Sequence, residues 1–458
     1  MSDLTHGLVV CAIMSACSLV LGTNATAQEQ LSPQGVMVQV HADRADALYK
    51  CRETATFVAT VKDNRLPVVA GEVTVTLTLD QGKVIEQKTL KLEGTGPVKV
   101  TGTLKKPGFL NCKVEFTKDG KVFKGAAAAG YEPTKIKTAC KKPADFDAFW
   151  RKGLKELAKI PADVKITPLP EMSDKDQDTF QISFANVDNT RIYGFLCIPK
   201  NRKPPYPAVV HIPSAGLIKP VKPIDPKWAQ RGAIYLNMCV HDFDPLHPPA
   251  EISKRSDYSL LGAPDREKYY FRRAILGIDR AIDYIASRPD FDGKHLVVYG
   301  DSQGGGLSLI EGGLNSHVTA ISVTKPALCD HQGDLLGRKS TWPRFLANAP
   351  KDQVKKWAKM SEYFDAVNFV RKIKAPTLFC LGFIDSFVPP STVYAAYNVV
   401  RAPKYANNLP LLEHMGWPKN DAAADSWLKF EDTWMEGQLG LGPVVGFPGT
   451  GKVKSGGK

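Results

Sequence analysis

The most constraining feature of this chain is an apolar run at residues 297–299 that leads into a Gly-x-Ser-x-Gly pattern. This combination is typical of a buried strand that turns sharply into a helix and exposes one serine, here Ser302, at the turn. Gly300 and Gly304 lack side chains, so the strand and the helix can approach each other closely. Because the pattern also arises by chance in glycine-rich loops, this interpretation depends on the flanking sequence.

The flanking sequence alternates between short apolar runs and segments with helical periodicity. Between residues 267 and 287, apolar side chains recur every three or four positions, which predicts an amphipathic helix packed on a sheet. A further helix-rich stretch is expected around residues 342–373. Strands buried on both faces are predicted where short apolar runs are bounded by turn residues. These runs are residues 208–212, 233–240, 320–323 and 377–381. The alternation predicts an α/β fold with a doubly wound, mostly parallel sheet.

A serine hydroxyl needs a base and an orienting acid before it acts as a nucleophile near neutral pH. In this fold the acid follows the serine along the chain, and the histidine comes after the acid. His317 and His331 follow Ser302 too closely to leave room for that architecture. By elimination, His414 is the predicted base.

The acid is expected on the loop after the strand that precedes the histidine. Asp385 directly follows the apolar run at residues 377–384, so it is the predicted orienting acid. Asp365 is the alternative, although it lies within helical sequence rather than at a strand end.

Three segments resemble the acetyl xylan esterase and cephalosporin C deacetylase family, and the similarity extends over about residues 143–434. The segments are residues 145–150, 300–306 and 384–398, of which the last contains the specific phrase Pro-Pro-Ser-Thr-Val. The resemblance implies an α/β-hydrolase fold and removal of acetyl groups from sugar hydroxyls without a metal. It also implies that Ser302, Asp385 and His414 form the catalytic triad.

Acyl transfer passes through an oxyanion that needs hydrogen-bond donors. The backbone N–H of Gln303, directly after the nucleophile, is the first expected donor. Members of the family carry His-Gly-Tyr after the third core strand and use the tyrosine N–H. This chain has Pro213 at that place, and proline has no N–H. We therefore expect the second donor to be Ser214, Ala215 or a side chain, and favour Ser214. Asp301 is another departure, because the family usually has glycine there.

Residues 28–137 differ in composition from the rest of the chain. Alternating runs such as residues 54–61 and 72–79 are separated by turns rich in Gly, Asp, Asn and Pro, which predicts an immunoglobulin-like β-sandwich. The family resemblance does not cover this domain, and its role is open between a spacer, carbohydrate binding and control of oligomer formation. Cys51 and Cys112 both lie in it, and export would permit a disulfide between them. The α/β-hydrolase domain is expected at residues 138–438, and a flexible Gly- and Lys-rich tail at residues 439–458.

The amino terminus indicates export. Residues 7–22 form an apolar stretch too short to span a bilayer, and residues 25–27 supply small side chains for cleavage before Gln28. Residues 1–27 are therefore interpreted as a secretory signal peptide, and the mature protein is expected to be secreted or periplasmic with no membrane segment. The segment before the apolar stretch lacks Lys and Arg, and a lipoprotein site at Cys17 is the alternative.

The chain is basic, with 60 Lys and Arg against 47 Asp and Glu and a formal charge of +13. Its lysines are scattered rather than clustered with aromatic residues, which argues against a nucleic-acid partner. Attraction to glucuronate-bearing xylan is one hypothesis for this charge.

No cofactor or metal is expected. Residues 241–247 contain metal-type side chains, but their spacing matches no zinc signature and they are interpreted as a loop at the pocket rim. Residues 446–452 partly match the sequence pattern of a phosphate-binding loop. The match is rejected because Val453 stands where the pattern requires Ser or Thr.

The predicted function is a serine esterase acting on acetylated sugars, with an acetylated carbohydrate as its partner and a homo-oligomer as a possible assembly. Two alternatives stay open. One is another α/β-hydrolase, such as a dienelactone hydrolase or an oligopeptidase, because the fold does not fix the substrate. The other is a glycan-binding protein that has lost activity through its altered oxyanion segment.

Overall fold

A computed structural model describes residues 35–216, 222–223, 225–250, 257–417 and 422–448. The predicted signal peptide at residues 1–27 and the final residues 449–458 lie outside the described residues. Among the described residues, no helix combines the length and the apolar character needed to cross a bilayer.

The amino-terminal region is all-β and forms two sheets packed face to face. In its longer strands, buried and more exposed side chains alternate, as expected for sheets that cover a core on one face. One sheet has the order β1-β3-β4 with β7 also on β3, and the other has the order β2-β9-β8-β5-β6. The strands are β1 (Val36–Ala42), β2 (Leu48–Tyr49), β3 (Ala55–Asp63), β4 (Leu66–Pro67), β5 (Ala70–Leu79), β6 (Val84–Glu93), β7 (Val98–Gly102), β8 (Gly108–Lys118) and β9 (Lys121–Tyr131).

The rest of the chain builds one nine-stranded mixed sheet with the order β10-β11-β12-β14-β13-β15-β16-β17-β18. Pairs from β14 to β18 are parallel, and three antiparallel pairs join β10, β11, β12 and β14 at one edge. The strands are β10 (Lys165–Pro168), β11 (Gln177–Ala185), β12 (Arg191–Pro199), β13 (Tyr206–Ile212), β14 (Ile234–Cys239), β15 (Phe291–Asp301), β16 (Ala320–Thr324), β17 (Thr377–Gly382) and β18 (Lys404–Leu409). The predicted class, an α/β-hydrolase sheet preceded by an all-β domain, is confirmed.

Helices cover both faces of this sheet. The predicted amphipathic helix is present and begins at Tyr270, three residues after the expected start. The helices are α1 (Phe146–Ala158), α2 (Lys227–Gln230), α3 (Tyr270–Ser287), α4 (Gln303–Leu314), α5 (Phe345–Asn348), α6 (Val354–Ser361), α7 (Ala366–Phe369), α8 (Pro390–Tyr397) and α9 (Ala422–Gln438).

One expectation is corrected, and one open question is answered. Residues 439–448 are not a free tail, because Leu439 is buried and the Phe447 ring stacks at 6.2 Å on Tyr405 and at 6.1 Å on Trp434. The apolar side chains spaced through this glycine-rich segment bury themselves against the hydrolase sheet. The disulfide considered for Cys51 and Cys112 is absent, and both are free thiols.

The sandwich is packed firmly against the hydrolase sheet. Phe109 of β8 is fully buried, and its ring meets Phe383 edge-on at 4.9 Å. The turn between β5 and β6 adds backbone hydrogen bonds, from Lys83 N–H to the Gly337 carbonyl at 3.2 Å and from Lys339 N–H to the Asp80 carbonyl at 3.1 Å. Apolar burial and paired backbone groups at this junction hold the sandwich beside the carboxyl ends of the parallel strands.

Candidate active site

The predicted elbow is present between β15 and α4. Ser302 has φ 55° and ψ −119°, a conformation that a non-glycine residue adopts only when its surroundings enforce it. Its N–H donates to the Thr324 carbonyl at 2.9 Å, and its carbonyl accepts from Ala327 N–H at 2.9 Å. A Cβ atom at Gly304 would lie 1.9 Å from the Ile212 carbonyl oxygen, so only glycine lets α4 approach β13 this closely.

Ser302, His414 and Asp385 meet at the carboxyl ends of the parallel strands. Ser302 Oγ lies 3.0 Å from His414 Nε2, and His414 Nδ1 lies 2.8 Å from Asp385 Oδ2. Asp385 follows β17 and is fully buried, and its Oδ1 accepts the N–H groups of Phe387 at 2.9 Å and Val388 at 2.8 Å. A carboxylate held this way presents one oxygen to the imidazole and fixes the orientation of the ring.

The other residues considered for this role lie elsewhere. His317 is exposed beyond the end of α4. His331 is fully buried against Phe345, and burial lowers its pKa to about 3. Asp365 caps α7 through Val367 N–H and also accepts the N–H of His331, so it orders a buried turn and not the Ser302 site.

The loop after β13, where an oxyanion donor is expected, is anchored beside the elbow. The Ser214 hydroxyl donates to the Asp301 carbonyl at 3.1 Å, and Gly216 N–H donates to the Tyr258 hydroxyl at 3.3 Å. The Tyr258 hydroxyl in turn donates to Gln303 Oε1 at 2.7 Å. The side chains of both residues predicted as donors, Gln303 and Ser214, are therefore held by hydrogen bonds next to Ser302. Their assignment as oxyanion donors stays a prediction.

His241, predicted at the pocket rim, supports the same loop from inside. Its Nε2 lies 2.7 Å from the Gly216 carbonyl oxygen, and its side chain is buried. Burial lowers the pKa of His241, which favours the neutral imidazole. A neutral ring with Nε2 protonated donates to Gly216 and holds the loop in place.

Lys325, which directly follows β16, contacts both His414 and Asp301. Its side chain is buried, and its Nζ donates to the His414 carbonyl at 2.8 Å. The same ammonium lies 3.7 Å from Oδ2 of Asp301, the residue before Ser302. Burial raises the pKa of Asp301, and the nearby Lys325 charge opposes that shift. Lys325 therefore links the backbone of His414 to Asp301, the residue before Ser302.

The sandwich also reaches the site. Gln81, in the turn after β5, donates from Nε2 to the Asp385 carbonyl at 2.7 Å. Asn111 of β8 fixes this turn by accepting Gln81 N–H at 3.0 Å. A residue more than three hundred positions away in sequence thus supports the backbone of Asp385.

The similarity of this chain to known sequences identifies its family. The sequence model of a family described as acetyl xylan esterase (AXE1) matches residues 132–431 of the chain. This chain belongs to the acetyl xylan esterase family. The acetyl esterase Axe7A of Xylanibacter ruminicola is 35% identical to this chain over 336 residues, which cover 72% of this chain and 75% of the relative.

Solved acetyl xylan esterases share the fold. Acetyl xylan esterase 1 from Thermoanaerobacterium sp. JW/SL YS485 superposes with a TM-score of 0.55 and 22% identity, covering 68% of this chain and 98% of its own. The acetyl xylan esterase from Paenibacillus sp. R4 gives a TM-score of 0.55 and 25% identity, covering 66% and 98%. The family resemblance predicted from the sequence is confirmed, and the protein is a carboxylic ester hydrolase.

The family match does not include the sandwich. It begins at residue 132, directly after β9, so all nine strands of the two amino-terminal sheets precede it. The contacts of Gln81 and Asn111 with the segment that carries Asp385 are therefore made by a part of the chain outside the match.

Proposed function

We propose that this member of the acetyl xylan esterase family is a secreted serine esterase that removes acetyl groups from acetylated xylan, xylo-oligosaccharides or other small acetylated sugars. The observation that carries the proposal is the hydrogen-bonded chain from Ser302 Oγ through His414 to Asp385, with distances of 3.0 and 2.8 Å. Family membership supports the acetyl ester as the bond that is cleaved.

In the proposed mechanism, His414 Nε2 takes the proton of Ser302 as its Oγ attacks the acetyl carbonyl. The oxyanion is bound by the N–H groups of Gln303 and Ser214. His414 then returns the proton to the departing sugar oxygen, which leaves an acetyl-enzyme on Ser302. Water, deprotonated by the same imidazole, hydrolyses this ester and regenerates the serine.

The decisive experiment compares acetate release from acetylated xylo-oligosaccharides by the wild type and Ser302→Ala. Because the nucleophile is lost, we expect kcat to fall by at least about a thousandfold. Equal release by both proteins would favour a noncatalytic glycan-binding role. Rates on p-nitrophenyl acetate, longer acyl esters and peptide amides separate this activity from that of a dienelactone hydrolase or an oligopeptidase.

Secretion is tested separately by expressing the full chain and sequencing the amino terminus of the exported protein. We expect it to begin at Gln28, after the small residues at positions 25–27. Retention of the full chain in the cytoplasm would contradict this part of the proposal.

A further inference from the structure

A cavity of about 550 Å³ separates the sandwich from the hydrolase domain and borders His414. One wall consists of strands β5, β8 and β9, and the opposite wall consists of the loops around residues 384–387 and 413–415. In the proposed mechanism, His414 protonates the leaving sugar oxygen, so the leaving sugar lies on the imidazole side of the site. A cavity lined by this imidazole is therefore on the leaving-group side.

The sandwich wall is polar because of strand alternation. Along β5, Val75 and Leu77 are buried in the sandwich core, while Thr76 and Thr78 face the cavity. On β8, Lys113 lies opposite Thr76 and Asn111 opposite Thr78, so their side chains share this face. These short hydroxyl and amide groups leave open space and offer hydrogen bonds of the kind that sugar hydroxyls make.

The hydrolase wall supplies an aromatic surface. The Phe387 ring stacks on His414 with centroids 5.2 Å apart, yet 46% of the residue remains exposed. An accessible ring beside the base, facing polar groups across a cavity, combines apolar and hydrogen-bonding surfaces as small-ligand sites do.

Charge at this site is unbalanced. Within the part of the chain that the structure describes, the lining contains Lys113, Lys124 and Lys339 but only one acidic residue, Glu413. Lys113 and Lys124 are both paired with Glu115, at 2.7 and 3.5 Å.

Lys339 is half-buried and has no carboxylate oxygen within 4 Å among the residues that the structure describes. Burial lowers its pKa, and the neighbouring Arg344 lowers it further, whereas Asp385 acts in the opposite direction. The carboxylate of Asp385 already forms hydrogen bonds with His414 and with two backbone N–H groups. An anionic ligand in the cavity would supply the missing partner for the Lys339 ammonium.

We propose that the cavity is a leaving-group subsite that binds the sugar next to the acetylated one, and that Lys339 pairs there with the carboxylate of a uronic acid substituent. The sandwich domain is then part of the substrate-binding site. This inference rests on the proposed function, because it names the substrate class of the same site.

The test uses the full-length protein and three substrates. These are an acetylated xylo-oligosaccharide that carries one glucuronic acid, its neutral counterpart, and p-nitrophenyl acetate. Lys339→Met should raise KM for the uronate-bearing substrate about five- to tenfold and for the neutral one by less than about twofold, since only the former loses an ion pair. Added salt should weaken the uronate preference of the wild type but not that of the variant.

Thr78→Phe tests the sandwich wall, because the larger side chain fills the cavity. We expect KM for both oligosaccharides to rise several-fold more than KM for p-nitrophenyl acetate. The matched control is Lys99→Met, which removes an exposed lysine on the other sheet and should change no KM. Thermal unfolding of each variant identifies any loss of folded protein.

Binding gives an independent measurement. Titration of the uronate-bearing oligosaccharide into Ser302→Ala and into the double variant with Lys339→Met should show weaker binding by the double variant.

The outcomes separate the two proposals. Normal acetate release with no selective effect of either cavity variant overturns the subsite alone. Failure of the wild type to deacetylate either oligosaccharide, with p-nitrophenyl acetate still cleaved, overturns the proposed substrate class itself.

Discussion

At the residue scale, Asp385 determines which nitrogen of His414 carries the proton. Its carboxylate accepts only, so His414 Nδ1 must be protonated and Nε2 is free to accept the Ser302 proton. In Asp385→Asn the amide NH₂ can donate to Nδ1, which favours the opposite tautomer. We expect kcat on p-nitrophenyl acetate to fall by about a thousandfold or more, with little change in the fold.

Asp365→Asn is the matched control, because Asp365 is the other acid that the sequence offered. It bonds to backbone N–H groups around α7, so the change should lower the unfolding temperature and leave kcat of the folded protein within about threefold. A large loss of kcat in Asp365→Asn with none in Asp385→Asn would reverse the assignment.

Lys325 is a positioning residue, because it holds the backbone of His414. Lys325→Met removes the donor to the His414 carbonyl and leaves Asp301 without its cation. Because the imidazole loses its alignment, we expect kcat on p-nitrophenyl acetate to fall about tenfold while KM changes little. Partial recovery in Lys325→Arg would support the role, and an unchanged kcat in Lys325→Met would refute it.

At the element scale, the elbow depends on how closely α4 crosses β13. In Gly304→Ala the new methyl group would meet the Ile212 carbonyl oxygen at 1.9 Å, a backbone atom that cannot rotate away. We expect the free energy of unfolding to fall by about 1–3 kcal/mol and esterase activity to be lost. Thermal unfolding and p-nitrophenyl acetate hydrolysis measure these two effects. Gly96→Ala is the control, since nothing lies within 4 Å of a Cβ there. Normal activity in Gly304→Ala would contradict the close approach.

The elements themselves were largely predictable from the sequence. The strands at residues 208–212 and 377–381 and the elbow at Ser302 have local signals, namely apolar runs and glycine spacing. Asp385 and His414 followed from chain order. The tail was mispredicted because its glycine content masked spaced apolar residues such as Phe447.

The residues that hold the site in place from outside it had no local signal in the sequence. Tyr258 and Gln81 act through hydrogen bonds to segments far along the chain, and neither lies in a motif. Lys325 is one of many lysines, and only the fold makes it buried. Such contacts depend on how distant elements pack, which periodicity and spacing do not encode.

At the scale of the whole molecule, two domains share one buried junction. Ala47, Phe109 and Ala128 of the sandwich pack within the same apolar cluster as the hydrolase sheet. The loops that carry Asp385 and His414 face this junction, so the sandwich lines the cavity that borders His414.

Asp80 makes the stability of this junction depend on pH. It lies 2% exposed in the turn that contacts Gly337 and Lys339, and burial raises its pKa to about 6, against the opposing effects of Phe109 N–H and Arg338. The unfolded chain has the ordinary value of about 3.9, so between about pH 4 and 6 the folded state binds the extra proton. Its ionisation therefore reduces stability as pH rises through this window, and the loss persists above pH 6.

Asp80→Asn removes the ionisable carboxyl group. The amide keeps an oxygen that can accept Phe109 N–H, which in the wild type lies 2.8 Å from Asp80 Oδ1. Relative to the wild type, we expect the variant to gain nothing near pH 4 and about 2–3 kcal/mol near pH 7, measured as urea unfolding followed by tryptophan fluorescence and circular dichroism. Asp119→Asn, in the exposed turn between β8 and β9, should give no pH-dependent difference. A gain in the free energy of unfolding for Asp80→Asn that is the same at pH 4 and pH 7 would contradict this prediction. It would mean that the junction tolerates ionised Asp80, and that water reaches this carboxylate more than its burial indicates.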